Sequence, residues 1–271
     1  PREVTVQAII WAREAGIEMV NIDLIYGLPH QTPATFERTL DEVIELQPDR
    51  LAVFSYAHVP WIKPSQKILE TGSLPDAETK LALLKLTIEK LTGNERYVYI
   101  GMDHFAKPDD ELAQAQKNKT LQRNFQGYST CGNTDIYSFG LSSISQAGDA
   151  YWQNYKEIHA YTKSVTAWEA PIERGYALTA EDILRRRLIM RLMCDLELNY
   201  DTLSKEIGSD VATHFAPEIE SLTDLEVDGL VERSSKGMRV TETGRLFIRN
   251  IAMRFDAYLP ATNERRFSRT V

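Results

Sequence analysis

Val20-Asn21-Ile22-Asp23-Leu24-Ile25-Tyr26-Gly27-Leu28-Pro29 is an apolar run broken by one carboxylate, and its reading decides the fold. With the two-residue period of a strand, Val20, Ile22 and Leu24 share one face and Asn21, Asp23 and Ile25 the other. A helix signature follows: Thr32 as N-cap, Pro33 at the first helical position, then Phe36, Leu40, Val43, Ile44 and Leu46. The stretch therefore predicts a strand-loop-helix unit with a carboxylate near the strand's C-terminal end. A carboxylate in the body of a strand is costly unless something pairs with it or binds there, which makes Asp23 the first candidate site residue. Its two acceptor oxygens suit ribose hydroxyls. The plain alternative is a structural acid paired with a nearby Arg, Lys or backbone N–H.

Outward from this unit, strand and helix signals alternate: helix 3–15, strand 20–26, helix 33–47, strand 50–57, helix 76–92, strand 97–103. That order predicts parallel strands joined by helical crossovers, with ligands at the strands' C-terminal ends. A lone helix feeding into a buried-looking strand reads as the late half of a repeated pattern, so a portion preceding Pro1 is expected. From Lys107 to Gly148 the chain reads as loop-rich and site-forming, with Asp109-Asp110-Glu111 opening a short helix. A helix over 154–164 leads to a poorly patterned connection through Trp168 and Pro171, taken as the domain boundary. Beyond it the pattern gives helices at 179–194, 201–207 and 217–228, a hairpin at 230–233 and 238–241, and a last helix over 244–258. Three helices and a small wing resemble a winged helix.

The 271 residues are 43% hydrophobic, enough for a substantial core and more than one domain. A net charge of −8 argues against nucleic acid as a partner. So does the segment that would enter a groove, which between His214 and Gly229 holds Glu218, Glu220, Asp224, Glu226 and Asp228 with neither Lys nor Arg. Cys131 and Cys194 lie far apart, as suits a reducing, cytoplasmic compartment, and no run approaches a membrane span.

Among the five histidines, none forms a metal pair at i, i+4; His58 and His104 each follow a strand, within reach of a common pocket. Asn124-Phe125-Gln126-Gly127-Tyr128 combines a ring, an amide and a glycine before a turn, suited to a flat ligand, or else to a buried Phe in a capped loop. Arg185-Arg186-Arg187 is most simply a solvated face or an interdomain contact. The chain has neither a Gly-rich phosphate loop nor a nucleophile elbow.

Several segments resemble the oxygen-independent coproporphyrinogen III oxidases, radical S-adenosylmethionine enzymes of haem biosynthesis. They are Asn21 to Pro29, Tyr56-Ala57-His58-Val59-Pro60, Gly101-Met102-Asp103-His104-Phe105-Ala106, Pro108 to Leu112, Arg123 to Tyr128, Arg249 to Asp256 and Phe267-Ser268-Arg269. The resemblance implies an α/β fold: the C-terminal part of a partial (β/α)6 radical-SAM barrel with a loop-rich, site-forming region (1–165), then a mainly helical, winged-helix-like domain (176–271). It implies that Asp23 and Ala57 contact S-adenosylmethionine at a 4Fe-4S cluster, Asp23 through its carboxylate and Ala57 through its backbone. It further implies that Phe125, Gln126 and Ile144 contact a second S-adenosylmethionine. The implied reaction decarboxylates two propionates of coproporphyrinogen III oxidatively to vinyl groups, giving protoporphyrinogen IX, in a cytoplasmic monomer served by an electron donor. Arg123, Arg185 and Arg269 are candidates for the tetrapyrrole carboxylates by charge alone.

One departure is large. The family's Cys-x3-Cys-x2-Cys cluster motif is absent here, and Cys131 and Cys194 do not replace it. The chain is therefore expected to be an inactive piece of the oxidase. The competing expectation is a haem-binding or haem-delivery protein of the same fold without oxidase activity.

Overall fold

The computed structural model describes residues 2–70, 72–132 and 134–259. By contacts the chain divides into Pro1–Thr120 with Tyr258–Val271, and Leu121–Ala257. This division falls earlier than the 165–176 connection read from the sequence.

In the first unit, α1 (Arg2–Glu14) leads to β1 (Asn21–Tyr26). The helix α2 (Pro33–Glu45) begins where the sequence places it: Thr32 Oγ1 accepts from the Thr35 N–H and Thr35 Oγ1 accepts from the Thr32 N–H, a reciprocal cap with Pro33 at the first position. Next come β2 (Arg50–Ser55) and α3 (Ala77–Thr92), capped by the Asp76 carboxylate, with 3-10 turns at Pro64–Glu70 and Gly93–Glu95. β1 and β2 pair in parallel, with Asp23 opposite Ala52 and Ile25 opposite Phe54. One sheet face and the helices bury Leu51, Val53, Phe36, Leu40, Leu83 and Leu91, each at most 1% exposed. Each such side chain contributes about 1.5–3 kcal/mol through removal from water.

The expected third parallel strand over 97–103 is instead a hairpin, β3 (Val98–Gly101) and β4 (His104–Ala106), in a sheet of order β1-β2-β4-β3. The chain reverses at Met102, which takes a left-handed φ of 51°, and the Tyr99 hydroxyl donates to its carbonyl at 2.6 Å. β4 therefore runs antiparallel to β2, with His104 opposite Ala52. The short helix α4 (Glu111–Lys117) is capped by the buried Asp110, which also takes a 2.8 Å ion pair from Arg50.

The second unit opens with small strands where the sequence reads as loop. A hairpin of β5 (Gln122–Asn124) and β6 (Gly127–Ser129) precedes an antiparallel sheet of β7 (Ile144–Ala147), β8 (Ala150–Asn154) and β9 (Ile172–Ala177). Helix α5 (Ile158–Thr166) lies between β8 and β9. The connection that looked unpatterned is thus β9 in part, and its six residues are all exposed.

Helix α6 (Ala180–Asp195) follows, then β10 (Glu197–Asn199) and α7 (Tyr200–Ile207). A short α8 (Val211–His214) comes next, and the helix expected over 217–228 is broken into α9 (Ala216–Glu220) and α10 (Thr223–Val227). β11 (Val231–Ser234) and β12 (Gly237–Val240) form the expected hairpin, and β10 adds a third antiparallel strand. At Gly237 a Cβ would collide with the Leu198 carbonyl, so only glycine lets β12 approach β10. The expected final helix divides into α11 (Glu242–Arg245) and α12 (Ile248–Met253). Around α6 the core buries Leu188, Leu192, Phe215, Leu222, Ile251 and Phe255.

Candidate functional site

The register of the first sheet puts Asp23, Ile25, Ala52, Phe54 and His104 on one face, opposite to the one packed on α2 and α3. Asp23 is exposed there and accepts a 2.7 Å hydrogen bond from Asn21 Nδ2. It therefore bears none of the burial cost the sequence suggested, and its partner is an amide rather than a cation. Acceptor positions on the carboxylate face outward, as a hydroxyl-bearing ligand requires. Phe54 at 37% and Ile25 at 45% exposure flank it with apolar surface.

Two glutamines that the sequence reading missed shape the loops after β1 and β2. Gln31 Oε1 accepts from the Gly27 N–H at 2.6 Å and its Nε2 donates to the Ile25 carbonyl at 3.3 Å, bracing a turn in which Gly27 holds φ 81°. Gln66 repeats the device: its Oε1 accepts from the Val59 N–H at 2.7 Å, and its Nε2 donates to the Ala57 carbonyl at 3.1 Å. Ala57 is thus held rigid, with one lone pair of its carbonyl engaged. Neither glutamine has a periodicity signal; each shows itself only through the backbone groups it satisfies.

His58 and His104 are placed by different elements. His104 sits on β4 opposite Ala52 and meets Phe54 edge-on at 6.0 Å, whereas His58 lies beyond the end of β2, 6.4 Å from the Tyr56 ring.

In the second unit, Phe125, Gln126 and Ile144 border one cavity of about 530 Å³ together with Ile136, Tyr137, Ser138, Phe139, Ser142 and Ser143. Phe125 and Gln126 form the two-residue turn of the β5–β6 hairpin, where Asn124 Oδ1 accepts from the Gln126 N–H at 2.8 Å. The opposite wall is anchored by Asn154, whose buried amide donates to the Gly140 carbonyl and to Ser143 Oγ, both at 3.0 Å. Phe125 is 41% and Phe139 92% exposed, so aromatic faces stand open beside serine hydroxyls and an amide. That lining suits a flat, polar heterocycle.

A larger cavity, about 630 Å³, lies where β1 and β2 begin. Most of its charges are paired internally: Arg50 with Asp110 and Glu111, Lys107 with Asp49 at 2.7 Å. Burial opposes ionisation of Asp49, yet the bonds from Lys107 and the Val20 N–H outweigh it and hold the carboxyl below its ordinary range.

The arginine run of α6 is a solvated face only at Arg187, which is exposed. Arg185 binds Glu181 at 2.6 Å, Glu218 at 2.7 Å and the Phe255 carbonyl at 2.9 Å; Arg186 donates to the Tyr151 hydroxyl and Arg187 to the Glu206 carbonyl. Glu226 and Asp224 of the acidic segment likewise pair with Arg233 and Arg254. Arg269 lies outside the described residues, as does the Phe267-Ser268-Arg269 segment.

An iron–sulfur cluster does not fit the side chains present. Cys131 is exposed and Cys194 fully buried, where desolvation pushes its thiol up to about 12. Among the described residues no three His, Cys, Asp or Glu side chains are grouped to hold a metal ion. Nor is any described helix long and apolar enough to cross a membrane.

Residues 178–247 match the family model described as HemN C-terminal domain. An oxygen-independent coproporphyrinogen III oxidase of Synechocystis is 46% identical over 100% of this chain and 59% of its own length. One from Thermostichus vulcanus is 47% identical over 98% of this chain and 82% of its own. The solved coproporphyrinogen III oxidase (HemN) of Escherichia coli, described as a radical SAM enzyme, superposes with a TM-score of 0.91 at 47% identity, over 96% of this chain and 59% of that one. The chain thus spans little more than half the length of several relatives it matches. With 46–47% identity to relatives over 98–100% of its length and the same fold as a solved member, the chain belongs to the oxygen-independent coproporphyrinogen III oxidase family.

Proposed function

We propose that the chain is part of an enzyme that decarboxylates two propionate side chains of coproporphyrinogen III to vinyl groups without oxygen, in haem biosynthesis. The observation that carries this is likeness along the whole chain, at 46–47% identity, to relatives bearing that activity in their names. Each decarboxylation removes a hydrogen atom from the propionate β-carbon, a molecule of carbon dioxide and one electron, and leaves a vinyl group. Reductively cleaved S-adenosylmethionine supplies the hydrogen-abstracting radical when bound.

The chain's own residues bind and shield. Asp23 accepts hydrogen bonds from the hydroxyls of a ribose on the open sheet face, and Ala57, held by Gln66 beyond the end of β2, offers a backbone contact. Phe125, Gln126 and Ile144 hold a second S-adenosylmethionine, the adenine lying on the Phe125 ring and pairing with the Gln126 amide. The domain division we favour keeps 1–165 as the barrel part with its site-forming loops and 176–271 as the helical domain. Cluster ligands are not among these 271 residues, so we expect the chain alone to be inactive, and the working enzyme to be a cytoplasmic monomer drawing on an electron donor.

After anaerobic reconstitution the chain should show neither cluster absorbance nor S-adenosylmethionine cleavage; the appearance of both would overturn its inactivity. S-Adenosylmethionine should still bind, and Phe125→Ala should weaken that binding about tenfold by loss of stacking. Calorimetric titration giving equal affinities for the two proteins would reject the cavity assignment. Haem titration tests the delivery alternative, which predicts tight one-to-one binding.

A further inference from the structure

Most arginines of the second unit are committed to partners: Arg185 to Glu181 and Glu218, Arg191 to Asp195, Arg233 to Glu226, Arg254 to Asp224. Arg123 is different. It sits on β5 opposite Tyr128, its guanidinium 5.7 Å from the centre of that ring. Its Nε is shut off from solvent and hydrogen-bonds to none of the described residues, and no described carboxylate forms an ion pair with the group. The ring beneath it is fixed, because the Tyr128 hydroxyl donates to the Met193 carbonyl at 3.2 Å.

The buried Nε–H is left unsatisfied at a cost in free energy, and the cation–π contact with Tyr128 leaves the positive charge without an anionic partner among the described residues. The contact at 5.7 Å keeps the guanidinium beside the ring, and a planar fork of N–H donors matches a carboxylate through two parallel hydrogen bonds. Arg123 also lies two residues before Phe125 on the hairpin whose turn lines the cavity. Of the three arginines charge alone nominates, Arg185 is saturated and Arg269 is outside the described residues.

We propose that Arg123 is a carboxylate-binding group that takes a propionate side chain of the tetrapyrrole, an assignment resting on the oxidase reading above. Tyr128 is its positioning residue, keeping the guanidinium beside its ring. A bound propionate would be met end-on by the two Nη groups, since Nε is shut off from solvent.

The test uses coproporphyrin III, a stable tetracarboxylate, and its uncharged tetramethyl ester in mild detergent, each titrated by quenching of protein fluorescence. Wild type should bind the acid more tightly than the ester. Arg123→Met, which keeps length and apolar contact with Tyr128, should weaken acid binding roughly tenfold and leave the ester unchanged. Equal acid affinity in wild type and Arg123→Met, or equal losses for both ligands, overturns the assignment while leaving the oxidase reading in place. Failure of wild type to bind either porphyrin also overturns the assignment, and leaves the oxidase reading to be judged on the family likeness. If Arg123→Met does not fold, the wild-type Arg123 Nε–H resonance decides: it should shift with the acid and not with the ester, and an unmoved signal under saturating acid rejects the proposal.

Discussion

Asp23 and Cys194 are both polar groups in apolar sequence, and the fold treats them oppositely. Asp23 is placed on an open face, where a carboxylate costs little and remains available, while Cys194 is sealed inside the second unit. Desolvation pushes the Cys194 thiol from an ordinary 9.0 to about 12, so above pH 9 the unfolded chain ionises before the folded one. The folded state then binds more protons, and stability falls as pH rises from about 9 towards 12 at about 1.4 kcal/mol per unit. Replacing Cys194 by Ala should lower stability at neutral pH, leaving a cavity, yet flatten this alkaline decline; urea unfolding of both proteins at pH 8 and 10 measures it. Parallel slopes would show that Cys194 is not the linked group. The alternation that put Asp23 beside Asn21 and Ile25 was legible in the sequence, since period two needs no tertiary information. Its exposure was not, because whether a face is covered depends on strands and helices distant in the chain.

Elements were readable where a cap and a period coincide. The Thr32 and Asp76 caps fix the starts of α2 and α3, and both helices follow the sequence reading to within a few residues. β9 escaped because its six residues are all exposed, leaving no alternation to find. The β3–β4 reversal escaped because it turns at Met102, a residue type that rarely takes φ near 51°. For α6 the cap does more than start a helix: Thr179 Oγ1 accepts from the Asp182 N–H and donates to Asp182 Oδ2, which also receives the Tyr176 hydroxyl from β9. Removing the Thr179 hydroxyl therefore withdraws a cap and a partner of a buried carboxylate. We expect Thr179→Ala to cost about 1–2 kcal/mol and Thr179→Ser only a fraction of that, measured as shifts in urea midpoint at unchanged slope. Equal losses in the two variants would mean that the methyl group, not the hydrogen bonds, carries the effect.

Across the whole molecule, surface character is uneven. In the first unit β1 is an edge strand among the described residues, and the face bearing Asp23 exposes Ile25 and Phe54. On α1 only Ile9 is buried, leaving Val4 and Trp11 each 63% exposed. An unpaired edge beside uncovered apolar side chains templates association between chains. The 271-residue chain should therefore bind a hydrophobic dye in its folded state and scatter more light as concentration rises. Ile25→Lys puts a charge on this edge strand and face without entering the packed core, so it should reduce both signals while leaving the urea midpoint within about 0.5 kcal/mol of wild type. A wild-type chain that stays monodisperse and dye-silent would show that this face is covered in solution. The same variant places its cation two residues from Asp23 on the shared face, so it should also alter S-adenosylmethionine affinity if Asp23 is a ligand contact. Aggregation relieved with affinity unmoved would therefore separate the two roles assigned to one sheet face, keeping the association surface and removing Asp23 from the site.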